Sequence, residues 1–149
     1  MQECRLLAVK IIAAILAVSW SVAAAAQVKI SVPDLRYKAH NKIDVEITNT
    51  GTTEVTYCIE ARYIEPSPPP IYVQQKGSRG WSTLLTGPDV GSMLSPETLR
   101  PGEPQHFPFR VNAQGTIRLV LNYRLGSSEH FCKDRKSVRV ARSREFSID

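Results

Sequence analysis

The chain has 149 residues, with 19 Lys and Arg against 14 Asp and Glu for a net charge of +5, 42% hydrophobic residues and three cysteines. That length suits one ordinary domain and leaves no comfortable room for two. No segment approaches the roughly 20 consecutive apolar residues that cross a bilayer, so a membrane-spanning architecture is not expected.

The N-terminus reads as a cleavable export signal over residues 1–26. Arg5 and Lys10 form a positive leader, Ile11 to Val18 (IIAAILAV) a short apolar core, and Ala23-Ala24-Ala25-Ala26 a small-residue cleavage region before Gln27. These are the three parts of a secretory signal. Cys4 precedes the apolar core instead of standing at the cleavage point, which is not the placement of a lipid anchor. The expected mature protein is the 123 residues from Gln27 to Asp149, in the periplasm or outside the cell.

Through most of that segment apolar and polar residues alternate, the period of a half-buried strand. Val28, Ile30 and Val32 open the pattern. Ile43, Val45 and Ile47 then share one face and Lys42, Asp44, Glu46 and Thr48 the other, before Asn49-Thr50-Gly51-Thr52 turns the chain. Val55, Tyr57, Ile59, Ala61 and Tyr63 form the next inward row, which the run Pro66 to Pro70 (PSPPP) stops because proline cannot donate to a ladder. Ile71 to Val73 and Trp81 to Leu85 supply two short strands. Gly87 to Pro96 (GPDVGSMLSP) follows, and its Gly and Pro density predicts a mobile loop.

Phe107, Phe109 and Val111 alternate with His106, Pro108 and Arg110, and Pro108 suits an edge strand because it lacks an amide hydrogen. Ile117, Leu119, Leu121, Tyr123 and Leu125 make the strongest strand of the chain. Val138 and Val140, then Phe146 and Ile148, are expected inward in two short closing strands. No segment sustains a 3.6-residue period. Seven or eight short strands separated by turn signals predict an all-β antiparallel sandwich.

With the leader removed, the remaining cysteines are Cys58 and Cys132, and an even pair in an exported chain is read as a disulfide. Cys58 lies between Tyr57 and Ile59, so a core-facing Tyr57 sets Cys58 on the opposite face, and the bond is expected to be a surface or edge staple. Charge is unevenly spread. Seven basic residues between Arg124 and Arg144 oppose only Glu129 and Asp134. If Val138 and Val140 point inward, Arg135 and Arg139 project into solvent together, a diffuse field that binds polyanions weakly and fades as salt screens it. The same charge also keeps strand edges from pairing.

Four segments carry a family resemblance: Val45 to Gly51 (VEITNTG), a strand ending in an Asn-x-Gly turn; Leu99 to Glu103 (LRPGE); Gly115 to Tyr123 (GTIRLVLNY); and Ser143 to Ile148 (SREFSI). Together they resemble a bacterial secreted immunoglobulin-like domain of the single-module kind. The resemblance implies an immunoglobulin-like β-sandwich with a non-enzymatic binding or structural role, acting through the sandwich loops on another exported protein. Some bacterial proteinase inhibitors share a related architecture. A protease whose cleft takes the Gly87 to Pro96 loop is therefore the alternative partner.

Catalytic chemistry has few residues to draw on. The histidines are His40, His106 and His130, and no Gly-x-Ser-x-Gly elbow occurs. Ser127-Ser128-Glu129-His130 collects triad residue types, but neighbours on a strand face opposite ways and cannot assemble a triad among themselves. A metal site would have to join His130 and Cys132 with Met93 or His106, whereas Cys132 has a ready partner in Cys58. Gly-rich phosphate turns are lacking, and the basic run is not interleaved with exposed aromatics as nucleic-acid binding requires.

The expectation is thus a chain with no catalytic residue, metal, cofactor or nucleic-acid partner, with a small periplasmic enzyme or metal carrier as the last alternative after the inhibitor. Its candidate contact surface is Trp81, Asp89 and Met93 around the Gly87 to Pro96 loop, with Arg135 and Arg139. Trp81 has two readings, a contact residue that combines large apolar area with a polar edge or a core residue of its strand. The leader assignment predicts that the exported product begins within a few residues of Gln27. Intact-mass measurement checks this, and a product retaining Met1 to Ala26 contradicts it.

Overall fold

A computed structural model describes residues 27–60, 70–85 and 94–149. The expected leader, most of the proline run and the first part of the expected loop, with Asp89 and Met93, lie outside the described residues. A first sheet is antiparallel and three-stranded, in the order β1 (Val28–Ser31), β3 (Lys42–Asn49), β8 (Pro104–Arg110). The second contains β2 (Arg36–Tyr37), β4 (Val55–Glu60), β5 (Tyr72–Gly77), β6 (Gly80–Leu85), β7 (Leu94–Leu99), β9 (Gly115–Leu125), β10 (Arg139–Arg142) and β11 (Phe146–Ile148). One short helix, α1 (Phe131–Asp134), follows β9.

The eleven-residue β9 organises the larger sheet. On one edge it pairs with β4 (Tyr57 opposite Tyr123) and β5 (Val73 opposite Leu119). On the other it pairs with β10 (Ala141 opposite Leu121) and β11 (Phe146 opposite Ile117). Its inward side chains Ile117, Leu119, Leu121 and Tyr123 are buried in one cluster with Ile43, Val45 and Ile47 of β3 and Val28 and Ile30 of β1. Removing each such side chain from water contributes roughly 1.5–3 kcal/mol, and the two inner faces close on each other as an all-β sandwich. Pro108 does stand on an edge, since among the described residues β8 pairs only with β3.

Asn49 ties the two turn segments of the first strand pair to the second sheet. Fully buried, its Nδ2 donates to the carbonyls of Thr53 and Leu99, each at 2.9 Å, while its Oδ1 accepts from the Gly51 amide at 3.0 Å. The Gly102 amide donates to its backbone carbonyl at 2.7 Å. One side chain therefore bonds three backbone groups, the Leu99 carbonyl in a buried contact, and each such bond contributes about 0.5–1.5 kcal/mol net.

Four features depart from the sequence reading. The strands number eleven among the described residues against the seven or eight expected, and β2 and β7 match no strand read from the sequence. β2 pairs with β11 in parallel. Leu94 to Pro96, expected in the mobile loop, belong to β7, where Pro96 lies opposite Cys58; proline is tolerated there because β7 has no second neighbour to bond among the described residues. Finally, Val138 and Val140 are not inward. They are 40% and 39% exposed, whereas Ala141 is fully buried opposite Leu121. The helix and the left-handed turn residues Arg135 and Ser137 break the alternation, so β10 begins only at Arg139, in the opposite phase.

Tyr57 offers a measurable reporter of the core. Its hydroxyl meets the Gln105 side chain, and burial pushes its phenol well above the ordinary tyrosine value of about 10, with Glu97 and Glu103 adding to the shift. A raised folded-state value means that the native protein holds this proton more tightly than the unfolded chain. The corresponding stability is fully present below about pH 10 and is lost as pH rises further. Tyr57→Phe should cost about 1 kcal/mol at neutral pH and flatten the alkaline loss of stability, measured by urea unfolding between pH 8 and 11. An unchanged alkaline slope contradicts the assignment.

Candidate functional site

Two structures are built on the outer face of the larger sheet, the face turned away from the core. The first is a roof over β4. Thr56 Oγ1 donates to the Gly126 carbonyl at 2.7 Å and accepts from the Ser128 amide at 3.2 Å. Cys58, two residues on along the same face, is bonded to Cys132 of α1 across 74 residues of sequence. Phe131 packs with both cysteines and with Leu94 in a small buried cluster separate from the main core. The disulfide thus faces away from the core, as the alternation implied. It is not solvent-exposed, however, because residues 126–135 fold back over it.

The second structure surrounds Trp81. A two-residue loop, Ser78-Arg79, joins β5 to β6 and sets Lys76 opposite Trp81 and Gln74 opposite Thr83. Gln74 in turn lies opposite Arg118 of β9. Alternation places Gln74, Lys76, Trp81, Thr83 and Arg118 on one face, the outer one. Trp81 is half-buried and outside both apolar clusters, so its place is on the surface of the sheet. The Arg118 guanidinium lies over the indole at 4.0 Å from the ring centre, and Lys76 Nζ is 5.8 Å from it. Gln74 Oε1 accepts from Arg118 Nε at 2.9 Å, and Glu145 engages Lys76 at 3.2 Å. Cation–π contacts of this kind contribute on the order of 0.5–1 kcal/mol at exposed sites, more when desolvated.

The remaining sequence candidates disperse. Arg135 is not on a strand beside Arg139. It caps α1 in a left-handed conformation (φ 46°, ψ 32°), half-buried, and its guanidinium donates to the Tyr72 hydroxyl at 3.1 Å. Arg139 is exposed at the start of β10. The comb of two arginines expected from the sequence is replaced by an outer face on which Tyr72, Val120 and Arg142 form one row across three strands. Arg118, Lys76 and Tyr72 had not been singled out. Arg118 was findable as the outward residue between inward Ile117 and Leu119.

His106 stands on the outer face of the smaller sheet, with Nδ1 3.2 Å from Asp44 and Nε2 3.7 Å from Glu46. His40 lies in a turn at φ 67° and His130 caps α1, so His130 and Cys132 do not share a strand face. Among the described residues no cluster of His, Cys, Asp and Glu could hold a metal ion, and no helix is long and apolar enough to cross a membrane.

Among solved structures the chain is similar to the ASH/PapD-like domain of human CEP192 (PapD-like domain 7), at 13% identity and a TM-score of 0.37, over 83% of this chain and 84% of that one. It is also similar to Spo0M, the sporulation control protein of Bacillus subtilis, at 10% identity and a TM-score of 0.39, over 83% of this chain and 50% of that one. No protein-family model and no curated protein matches the chain.

Because the disulfide joins the roof to β4 without entering the main core, Cys58→Ser should lower stability by at most about 4 kcal/mol, the loop-closure value for so long a loop. The far-ultraviolet β spectrum should be retained. Urea titration with circular dichroism checks both, and loss of the β spectrum in water contradicts the separation of the two clusters.

Proposed function

We propose that this protein is an exported, non-enzymatic binding module that meets an anionic macromolecule through the outer face of its larger sheet, centred on Trp81 and Arg118. The supporting observation is the contact of the Arg118 guanidinium with the indole at 4.0 Å. A tryptophan outside the core, on paired strands and held by a cation that Gln74 fixes in turn, is a pre-ordered contact residue, and less freedom is lost when a partner arrives. Tryptophan and arginine are also the residue types that dominate contact energies.

The charge distribution favours an anionic partner. Lys76, Arg79, Arg118 and Arg142 lie on or beside the outer face of β5, β6, β9 and β10, and Glu145 is the acidic residue paired into that group. The carboxylates of the β3 outer face, Asp44 and Glu46, belong to the opposite sheet. No cofactor is required, and the expected leader and the disulfide both suit action outside the cytoplasm.

Retention on immobilised heparin tests the reading. The protein should be retained at about 50 mM salt and released near physiological ionic strength, where the Debye length falls to about 8 Å. Arg118→Ser and Trp81→Ala should each elute at clearly lower salt than the parent, and Arg139→Ser should elute close to it. Equal elution of all three variants contradicts the assignment of this face, and retention that persists at about 0.5 M salt contradicts a surface field of this kind.

A further inference from the structure

Strand β6 carries a second feature, in its backbone. Among the described residues it pairs only with β5, and the other strands that end a sheet there are each blunted. β8 holds Pro104 and Pro108, and β7 holds Pro96. β10 begins and ends with arginine, β1 is four residues long with an exposed Lys29, and β2 has two residues. These are the devices by which sheet edges avoid pairing with other chains. β6, Gly80-Trp81-Ser82-Thr83-Leu84-Leu85, has no proline and no charge over six residues, and the register shift in its pairing lies beyond Thr83.

We propose that the free edge of β6 is a β-addition site that takes an extended, proline-free segment of a partner protein, apolar on one face and acidic on the other. The backbone argument comes first. A two-residue loop closes on a hydrogen-bonded pair, here Gly77 with Gly80, and such pairs alternate with pairs whose amide groups point away from each other. Trp81 and Thr83 therefore direct their N–H and C=O groups toward the open edge, where an added strand would bond them.

The side chains of an added strand would alternate between two environments. On its inner side lies a cavity of about 290 Å³ at the open seam between the sheets, lined by Val73, Leu84, Val111, Ala113 and Arg110 among others, with no acidic residue in its wall. That is several times the roughly 30 Å³ share of a water molecule, enough to receive apolar side chains. Leu84 is left 44% exposed at its rim. On the outer side an added residue would stand beside Trp81 and Thr83, close to Lys76, Arg79 and Arg118. This charge is what selects the occupant. A second copy would bring the same cations to the edge, whereas an acidic segment complements them. The backbone bonds and the seam do not depend on the Trp81–Arg118 contact, although the cations around Trp81 select the acidic side chains of the occupant.

The test uses the purified protein and an acetylated, amidated heptapeptide of alternating valine and glutamate, followed by fluorescence anisotropy of a labelled copy. A peptide of the same composition, with valines and glutamates in separate blocks, is the control. The alternating peptide should bind at least tenfold more tightly than the block peptide. Thr83→Pro, which removes an outward amide and keeps the β5 ladder, should weaken binding at least tenfold. Leu84→Lys should do the same at the exposed cavity rim although it adds positive charge, so an electrostatic cause is ruled out. Equal binding of the two peptides, or full binding by both variants, overturns the proposal. A concentration-dependent dimer that Thr83→Pro abolishes overturns it in favour of a second copy. Heparin retention that depends on Arg118 but not on Thr83 separates failure of the edge from failure of the outer-face reading.

Discussion

Along β9 the side chains of Ile117, Leu119, Leu121 and Tyr123 enter the core while Arg118, Val120 and Asn122 stand on the opposite face. A one-residue slip would exchange the two sets. β9 pairs with four strands at once, so no such slip can occur without breaking every one of those ladders. This alternation decides which residues the protein can offer to a partner. Arg118 is outward because its two neighbours are inward, and Trp81 shares its face because β5 carries the same phase across from β9 to β6.

The outer face is more ordered than an ordinary solvated sheet. Val120 is buried although it points away from the core, since its register neighbours Tyr72 and Arg142 flank it and long arginine stems cover apolar surface well. Residues 126–135 are held down over β4 by Thr56, the disulfide and Phe131. The contact of Arg135 with the Tyr72 hydroxyl joins that roof to β5. A surface built on paired strands and fixed side chains presents its cations in a set geometry.

The period-two rows were legible in the sequence wherever strands were long. Those of β3, β4 and β9 emerge in the phase that Ile43, Val55 and Ile117 announced, and the even cysteine pair is the disulfide. The phase of β10 was not legible, because Val138 and Val140 offer two apolar residues and Ala141 one small one. Only the pairing of Ala141 with Leu121 shows which face is inward. β7 was hidden by Pro96, which reads as a loop residue until its edge position is known. The site was half legible. Trp81 was noticed, but its partners come from strands 5 and 37 residues away, and no local pattern states that Lys76, Trp81 and Arg118 meet.

The most direct measurement of the outer-face account is a titration of the isotope-labelled protein with a short heparin oligosaccharide at about 50 mM salt, followed by nuclear magnetic resonance. The account predicts that the Trp81 indole N–H and the amides around Gln74, Lys76 and Arg118 shift first and most. Shifts concentrated instead on Lys42 and Arg110 of the smaller sheet, or on Arg135 and Arg139 with the Trp81 indole unmoved, would contradict it.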